Sequence, residues 1–291
     1  MKQDPALVPV RTYGYLRIAL AGLVLLLYSA IVIEWFAAGA SCVQTSISAY
    51  YHTPVQSVFV GVLVTMGICL IALKGNTNGE DILLNLAGML APAVAFVPTR
   101  DRGDCRSVPL ADHDVASAVA NNMQALFVAG GVVAVVAVVL ALRQSGGAGL
   151  TRMDRLGVLV AAAVMVGGIV WFYVSRSTFV DHAHDVAAIP MFLCIVVVAW
   201  LNGRHVQQAV ISGDAPPQAN RYVAVYRAIA TAMLVALVLT VVVALLTPWE
   251  HAVFWVEVVL ITLFAAFWLV QTKELWRRGL RGAEEPPSTQ P

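Results

Sequence analysis

Charge is what this chain has least of. Asp, Glu, Lys and Arg together supply 12% of its 291 residues, about half the share of a soluble globular domain. Lysine occurs only 3 times against 15 arginines, and the formal net charge is +1. A nucleic-acid partner gripped through its phosphates is excluded by that balance. Cysteine is scarce too. There are 4, none in a CxxC pair, which excludes a zinc ribbon or a thioredoxin-like redox motif. The glycine run Gly146-Gly147-Ala148-Gly149 is not followed by Gly-Lys-Ser/Thr, so it is no phosphate loop. No segment is polar and long enough to build a soluble domain.

Apolar side chains, by contrast, make up 59% of the chain. A soluble domain of this length cannot hide that much, so lipid is the natural solvent. Eight segments are able to span: Leu16–Ala38, Val55–Leu73, Ile82–Val97, Val115–Leu142, Leu156–Val174, Val186–Leu201, Val223–Leu246 and Val253–Val270. They run from 16 to 28 residues, against the ~20 that cross a hydrocarbon core. The third and sixth each carry a proline, Pro92 and Pro190, and need neighbours to answer the backbone acceptors freed there. Leu16–Ala38 is too long for a signal h-region and contains Glu34 and Trp35. It reads as a retained helix, although Ala38-Gly39-Ala40 has the form of a cleavage site.

Orientation follows from Lys and Arg. With the N-terminus inside, 14 basic residues fall on the inner side and 4 on the outer, namely Arg100, Arg102, Arg106 and Arg176. The bias places both termini in the cytoplasm and favours an even number of helices. The expected architecture is all-α: one eight-helix membrane domain over residues 1–281 and a polar, Pro-rich, disordered tail over 282–291. Arg143–Asp154 and Arg204–Arg221 are expected to be connectors. Trp35, Trp249 and Trp255 are assigned to an outer aromatic belt, and Trp200, Trp268 and Trp276 to an inner one. Asn85 reads as helix glue. The predominance of Arg over Lys and the abundance of Ala, Val and Gly suggest a GC-rich bacterial genome, hence a bacterial plasma membrane.

On this layout, five of the 6 histidines lie on the outer side at helix ends: His52, His113, His182, His184 and His251. Asp112, Asp114, Asp181, Asp185 and Glu250 stand beside them. Ser46-Ile47-Ser48-Ala49-Tyr50-Tyr51-His52-Thr53-Pro54 is dense in hydroxyls and free of Lys and Arg. If helical, it puts Ser48 and His52 on one face at i,i+4. By itself it reads as an interfacial anchor, since tyrosine prefers the headgroup zone. Glu257, one turn into the last helix, and Glu34 are charges within spans, which mark function by default. The candidate outer site is therefore Ser48, His52, His113, Asp114, His182, His184, Asp185 and Glu257. A zinc ion would need His52, His113 and His184 to converge. Aspartates one turn away at Asp181 and Asp185 are placed to orient imidazoles. The competing reading is that solvated loops collect His and Asp with no site at all. His113-Asp114-Val115-Ala116-Ser117-Ala118 echoes His184-Asp185-Val186-Ala187-Ala188, a match too short to establish duplication of a hairpin.

The stretch SISAYYHTPVQSVFVGVL, with Lys74-Gly75, Asn85-Leu86-Ala87-Gly88 and Pro98-Thr99, resembles a family of bacterial multi-pass membrane proteins without an established activity. The resemblance is specific over Thr45–Thr99 and leaves helices four and five as an insertion. Ser48-x-x-x-His52 is also similar to the Ser-x-x-x-His element of the CREST membrane hydrolases, which use zinc held by three histidines. Their His-x-x-x-His pair is missing here: His182 and His184 are two apart, and His251 stands alone.

Three functions compete. The outer cluster binds a lipid or its headgroup in an accessory membrane protein, with membrane lipids and possible membrane subunits as partners. Or it is a zinc-dependent hydrolase of a lipid or envelope substrate at the outer leaflet. Or the bundle is a transporter, the weakest reading because charges avoid the bilayer midplane. Cys69 and Cys194 lie mid-helix and behave as small apolar residues. Cys42 and Cys105 both fall outside and are expected to form a disulfide.

Overall fold

The protein is described here by a computed structural model covering residues 7–40, 43–99, 115–144, 149–213, 218–246 and 251–276. Among them are eight α-helices and no strand: α1 Leu7–Ala37, α2 Gln56–Ala72, α3 Asn78–Phe96, α4 Val115–Gln144, α5 Arg152–Val174, α6 Arg176–Ser212, α7 Ala219–Leu246 and α8 Ala252–Leu275. A single 3-10 segment, Ser48–His52, precedes α2. Seven of the helices are long and apolar enough to cross a membrane; α2, at 17 residues, is the shorter one.

Local sequence accounts for the helix ends. Thr77 caps α3 by accepting from the Glu80 backbone N–H, with Glu80 and Asp81 in the first turn, where the helix dipole favours negative charge. Thr151 and Asp154 form a reciprocal capping box that opens α5. Gly213 ends α6 in the left-handed region, at φ +83°, which glycine adopts without cost.

Six helices pack as a closed ring in the order α1, α2, α3, α6, α7, α8 and back to α1. One continuous hydrophobic core runs through them. The α4–α5 hairpin stands outside this ring against α3 and α6. A small cluster of Val97, Val119, Met123, Phe172 and Phe179 fastens it. Much of the rest of the hairpin is exposed, including Val128, Val132, Val136 and Leu159, as a lipid-facing surface would be.

Helices α2 and α3 approach most closely at two glycines. A Cβ on Gly67 would lie 2.6 Å from the Gly88 carbonyl oxygen, and one on Gly88 would lie 2.6 Å from that of Gly67. The Pro92 ring sits against the same spot, 3.1 Å from the Gly67 Cβ position. Pro92 and Pro190 both lie inside continuous helices, as packed membrane helices tolerate.

Three expectations need correction. The sixth helix is 37 residues long, not the 16-residue span Val186–Leu201. It takes in His182 and His184 at one end and Arg204–Ser212, expected as connector, at the other. Hydropathy marks the part of a helix that lies in lipid, while its polar extensions are equally helical. Trp268 is 1% exposed and packs on Phe264 and Phe267, so it belongs to the core and not to an aromatic belt. Asn85 is exposed rather than packed between helices. Residues 282–291 lie outside the described residues.

The glycine contact yields a direct test. Gly88→Ala forces α2 and α3 apart and should lower stability in detergent by about 1–3 kcal/mol, read as a lower unfolding temperature. Gly131→Ala on α4, where nothing lies within 4 Å, should be neutral or stabilising. Equal effects at the two positions would refute the close approach.

Candidate functional site

The hydroxyl loop does not lie on the surface. Tyr50 and Tyr51 are 2% and 4% exposed, and Ile47, Ser48 and Thr53 are buried with them. The expected interfacial anchor is thus a plug in the end of the bundle. Its buried backbone must be answered from within the protein. Thr53 Oγ1 donates to the Tyr50 carbonyl at 2.7 Å and accepts from Val55 N at 3.2 Å. Ser46 Oγ accepts from Ala49 N at 3.0 Å. The Phe254 N–H of α8 donates to the Thr45 carbonyl at 3.1 Å, and Tyr50 packs on the Phe254 ring.

Glu257 holds the loop from the other side. Its Oε2 accepts from the Ile47 N–H at 2.6 Å. Around Ser48 the hydroxyls form a triad: Ser46 Oγ to Ser48 Oγ is 3.0 Å, and Ser48 Oγ to Thr99 Oγ1 is 2.9 Å. Burial pushes the Tyr50 phenol above its usual range, against a hydrogen bond to the Gln44 backbone, so the ring stays neutral at physiological pH.

Two histidines meet the end of α3. His52 Nε2 donates to the Thr99 carbonyl at 2.9 Å, and His184 Nδ1 donates to the Val97 carbonyl at 2.8 Å. The last carbonyls of a helix have no partner within it, and imidazole N–H groups near the C-terminus satisfy them. Each ring keeps one further nitrogen, Nδ1 on His52 and Nε2 on His184. When the ring is neutral that nitrogen is an acceptor. Asp185 lies within electrostatic reach of both His184 and Glu257.

The arrangement thus brings Ser48, His52, His184 and Glu257 to one end of the ring, through Ile47 and the segment Val97–Thr99. His182, two positions from the buried His184, is exposed, as is Asp185. His251, at the N-cap of α8, is half-buried. His113, Asp114, Cys42 and Cys105 lie outside the described residues. Cys69 and Cys194 are buried free thiols. Among the described residues, no group of three or more His, Cys, Asp and Glu side chains is placed to hold a metal ion.

The opposite end of the ring holds a cluster that the sequence reading missed. Glu80 on α3 is 1% exposed, and Asn202 on α6 and Gln271 on α8 are buried with it. Glu80 Oε2 accepts from Asn76 N at 2.8 Å and Asn76 Nδ2 at 3.0 Å. Its Oε1 takes a longer contact from Asn202 Nδ2, 3.4 Å, and lies 2.9 Å from His205 Nδ1. Gln271 Nε2 donates to Asn202 Oδ1 at 2.8 Å. Near this layer Tyr226 donates to Glu274 on α8, and Arg227 to Gln207 on α6. The available signal was a polar residue within two positions of the end of each of three apolar runs. Compared with protein-family models, with curated proteins and with solved structures, the chain matches none.

Glu257→Leu should strand the Ile47 N–H and cost about 1–3 kcal/mol, with faster amide hydrogen exchange over residues 45–49. Glu257→Gln keeps an acceptor oxygen and should recover most of that loss. If Leu and Gln behave alike, the carboxylate–amide bond is not what holds the loop.

Proposed function

We propose that this chain is an integral protein of a bacterial plasma membrane with eight spans and both termini in the cytoplasm. Its hydroxyl and histidine cluster, on the outer side, binds a lipid headgroup in an accessory role. The observation that carries the reading is the Ser46–Ser48–Thr99 hydroxyl triad, set beside the His52 ring at the end of an apolar ring of helices. Hydroxyls both donate and accept, and a ring nitrogen not used on α3 adds a further polar contact. Such convergent polar groups on apolar walls suit an amphiphile.

The zinc hydrolase reading keeps one specific support. His52 and His184 each donate one ring N–H to a backbone carbonyl, the arrangement that orients metal-ligating imidazoles and leaves the other nitrogen for the ion. His113 would supply the third ligand. The similarity of Ser48-x-x-x-His52 to CREST hydrolases points to the same chemistry, with the water-activating role that zinc supplies when bound.

Both readings are tested on one preparation. Delipidated protein should gain thermal stability on adding bilayer phospholipid, and Ser48→Ala with His52→Ala should abolish the gain while the protein stays folded. Stoichiometric zinc, lost on His52→Ala, would replace headgroup binding with hydrolysis as the leading reading. Neither lipid stabilisation nor zinc would remove both.

The topology has its own test. The 14-to-4 basic bias predicts a cytoplasmic C-terminal reporter and an external one after Ser48. We also propose a Cys42–Cys105 disulfide, since paired thiols outside the cell oxidise. Thiol labelling of denatured, unreduced protein should then modify Cys69 and Cys194 alone. An external C-terminus sinks the eight-span reading, and labelling at Cys42 sinks the disulfide.

A further inference from the structure

We propose that Glu80 is a proton-binding site and that His205 is its relay to the water at the end of the bundle where α8 finishes. The site is independent of the hydroxyl cluster, which lies at the other end of the same helices.

Charges inside a membrane bundle mark ion or proton pathways by default. Glu80 is such a charge, and its surroundings narrow the ligand. Oxygen Oε2 is filled by two donors from Asn76, and Oε1 faces Asn202 and His205. A metal ion would have to displace these donors. A proton need not, because it adds to an oxygen already present.

Of the groups around this carboxylate, only one is of a kind that exchanges protons near neutral pH. Asn76 and Asn202 offer amide N–H groups, which do not ionise in that range. Imidazole does. Its position is also that of an intermediary: the His205 side chain is 21% exposed and that of Glu80 is 1% exposed. The receiving oxygen is the less satisfied one, since Asn202 Nδ2 reaches Oε1 at only 3.4 Å. Asn202 has no freedom to come closer. Its Nδ2 also donates to the Val198 carbonyl at 2.8 Å, and its Oδ1 accepts from Gln271 at 2.8 Å.

The transfer balances simply. His205 takes a proton from hydronium on Nε2 and passes the proton on Nδ1 to Glu80 Oε1. An O–H of hydronium and the Nδ1–H break, the Nε2–H and the Oε1–H form, water is left behind, and the ring returns to neutrality as its other tautomer. The 2.9 Å contact is bent out of hydrogen-bond line, and transfer requires the ring to turn into line. Other charged groups nearby are already engaged. Asp81, next on α3, pairs with Lys74 at 3.0 Å, and Asp154 on α5 lies within reach of the same lysine. Glu274 on α8 accepts from Tyr226. Arg204, beside His205 on α6, is exposed, and Arg17 on α1 is buried.

The test uses the full chain in lipid nanodiscs and time-resolved infrared spectroscopy after a jump from about pH 8 to about pH 5, the range in which imidazole titrates. Wild type should develop a protonated-carboxyl C=O signal of which one component is absent in Glu80→Gln. His205→Gln should leave that component's final amplitude but slow its rise by about tenfold or more. Asp81→Asn serves as the control and should leave the component in place. A Glu80→Gln difference spectrum that superimposes on wild type overturns the site, and an unchanged rise in His205→Gln overturns the relay. Should Glu80→Gln fail to fold, Glu80→Asp identifies the component by the shift of its C=O band, and the rate in His205→Gln is read on that band.

Discussion

Hydrocarbon donates and accepts no hydrogen bonds, so each polar group within a membrane bundle must be met from within the chain. The two ends of α3 are where this protein meets that constraint most heavily. At one end, the carbonyl of Val97, the C-cap of α3, and that of Thr99 just beyond the helix take imidazole N–H groups from α6 and from the hydroxyl loop. At the other, Glu80 gathers donors from its own preceding turn and from α6, and Gln271 of α8 orders the amide of Asn202. Both clusters described above are consequences of closing α3. The helices that contribute to one contribute to the other.

That shared origin explains the ring. Helices α3 and α6 bury polar side chains at their ends and apolar ones between them, so they are fixed at both levels. The Gly67–Gly88 contact then sets α2 close against α3. The α4–α5 hairpin meets the ring through the Val97 and Phe172 cluster and where Gly157 on α5 faces Ile82 on α3. Removing polar partners from α3 should therefore disturb the ring more than changes on the lipid face of α4.

Much of this was legible in the sequence, and the failures share one cause. Runs of apolar residues marked where eight helices lie, because lipid demands about 20 apolar residues wherever a helix crosses. The same runs misplaced the helix ends. Reading stopped at Ile82, Leu201 and Val270, just short of Glu80, Asn202 and Gln271. A polar residue next to an apolar run looks like loop, although a helix that continues can turn it inward. Trp268 failed for the related reason that an aromatic near a helix end was given to the headgroup zone when neighbouring rings enclose it. Tyr50 and Tyr51 carried a surface preference that their loop overrides by folding back into the bundle. Ser48, His52, His184 and Glu257 were singled out by chemistry, but the partners of the last three are backbone atoms, which no side-chain pattern announces.

The shortness of α2 bears on where the hydroxyl loop sits. At 17 residues and 1.5 Å per residue, α2 is about 25 Å long, less than a typical hydrocarbon thickness of about 30 Å. With the turn before α3 at one interface, the segment Ser46–Thr53 falls short of the other. A loop recessed in this way draws the bilayer surface inward around it.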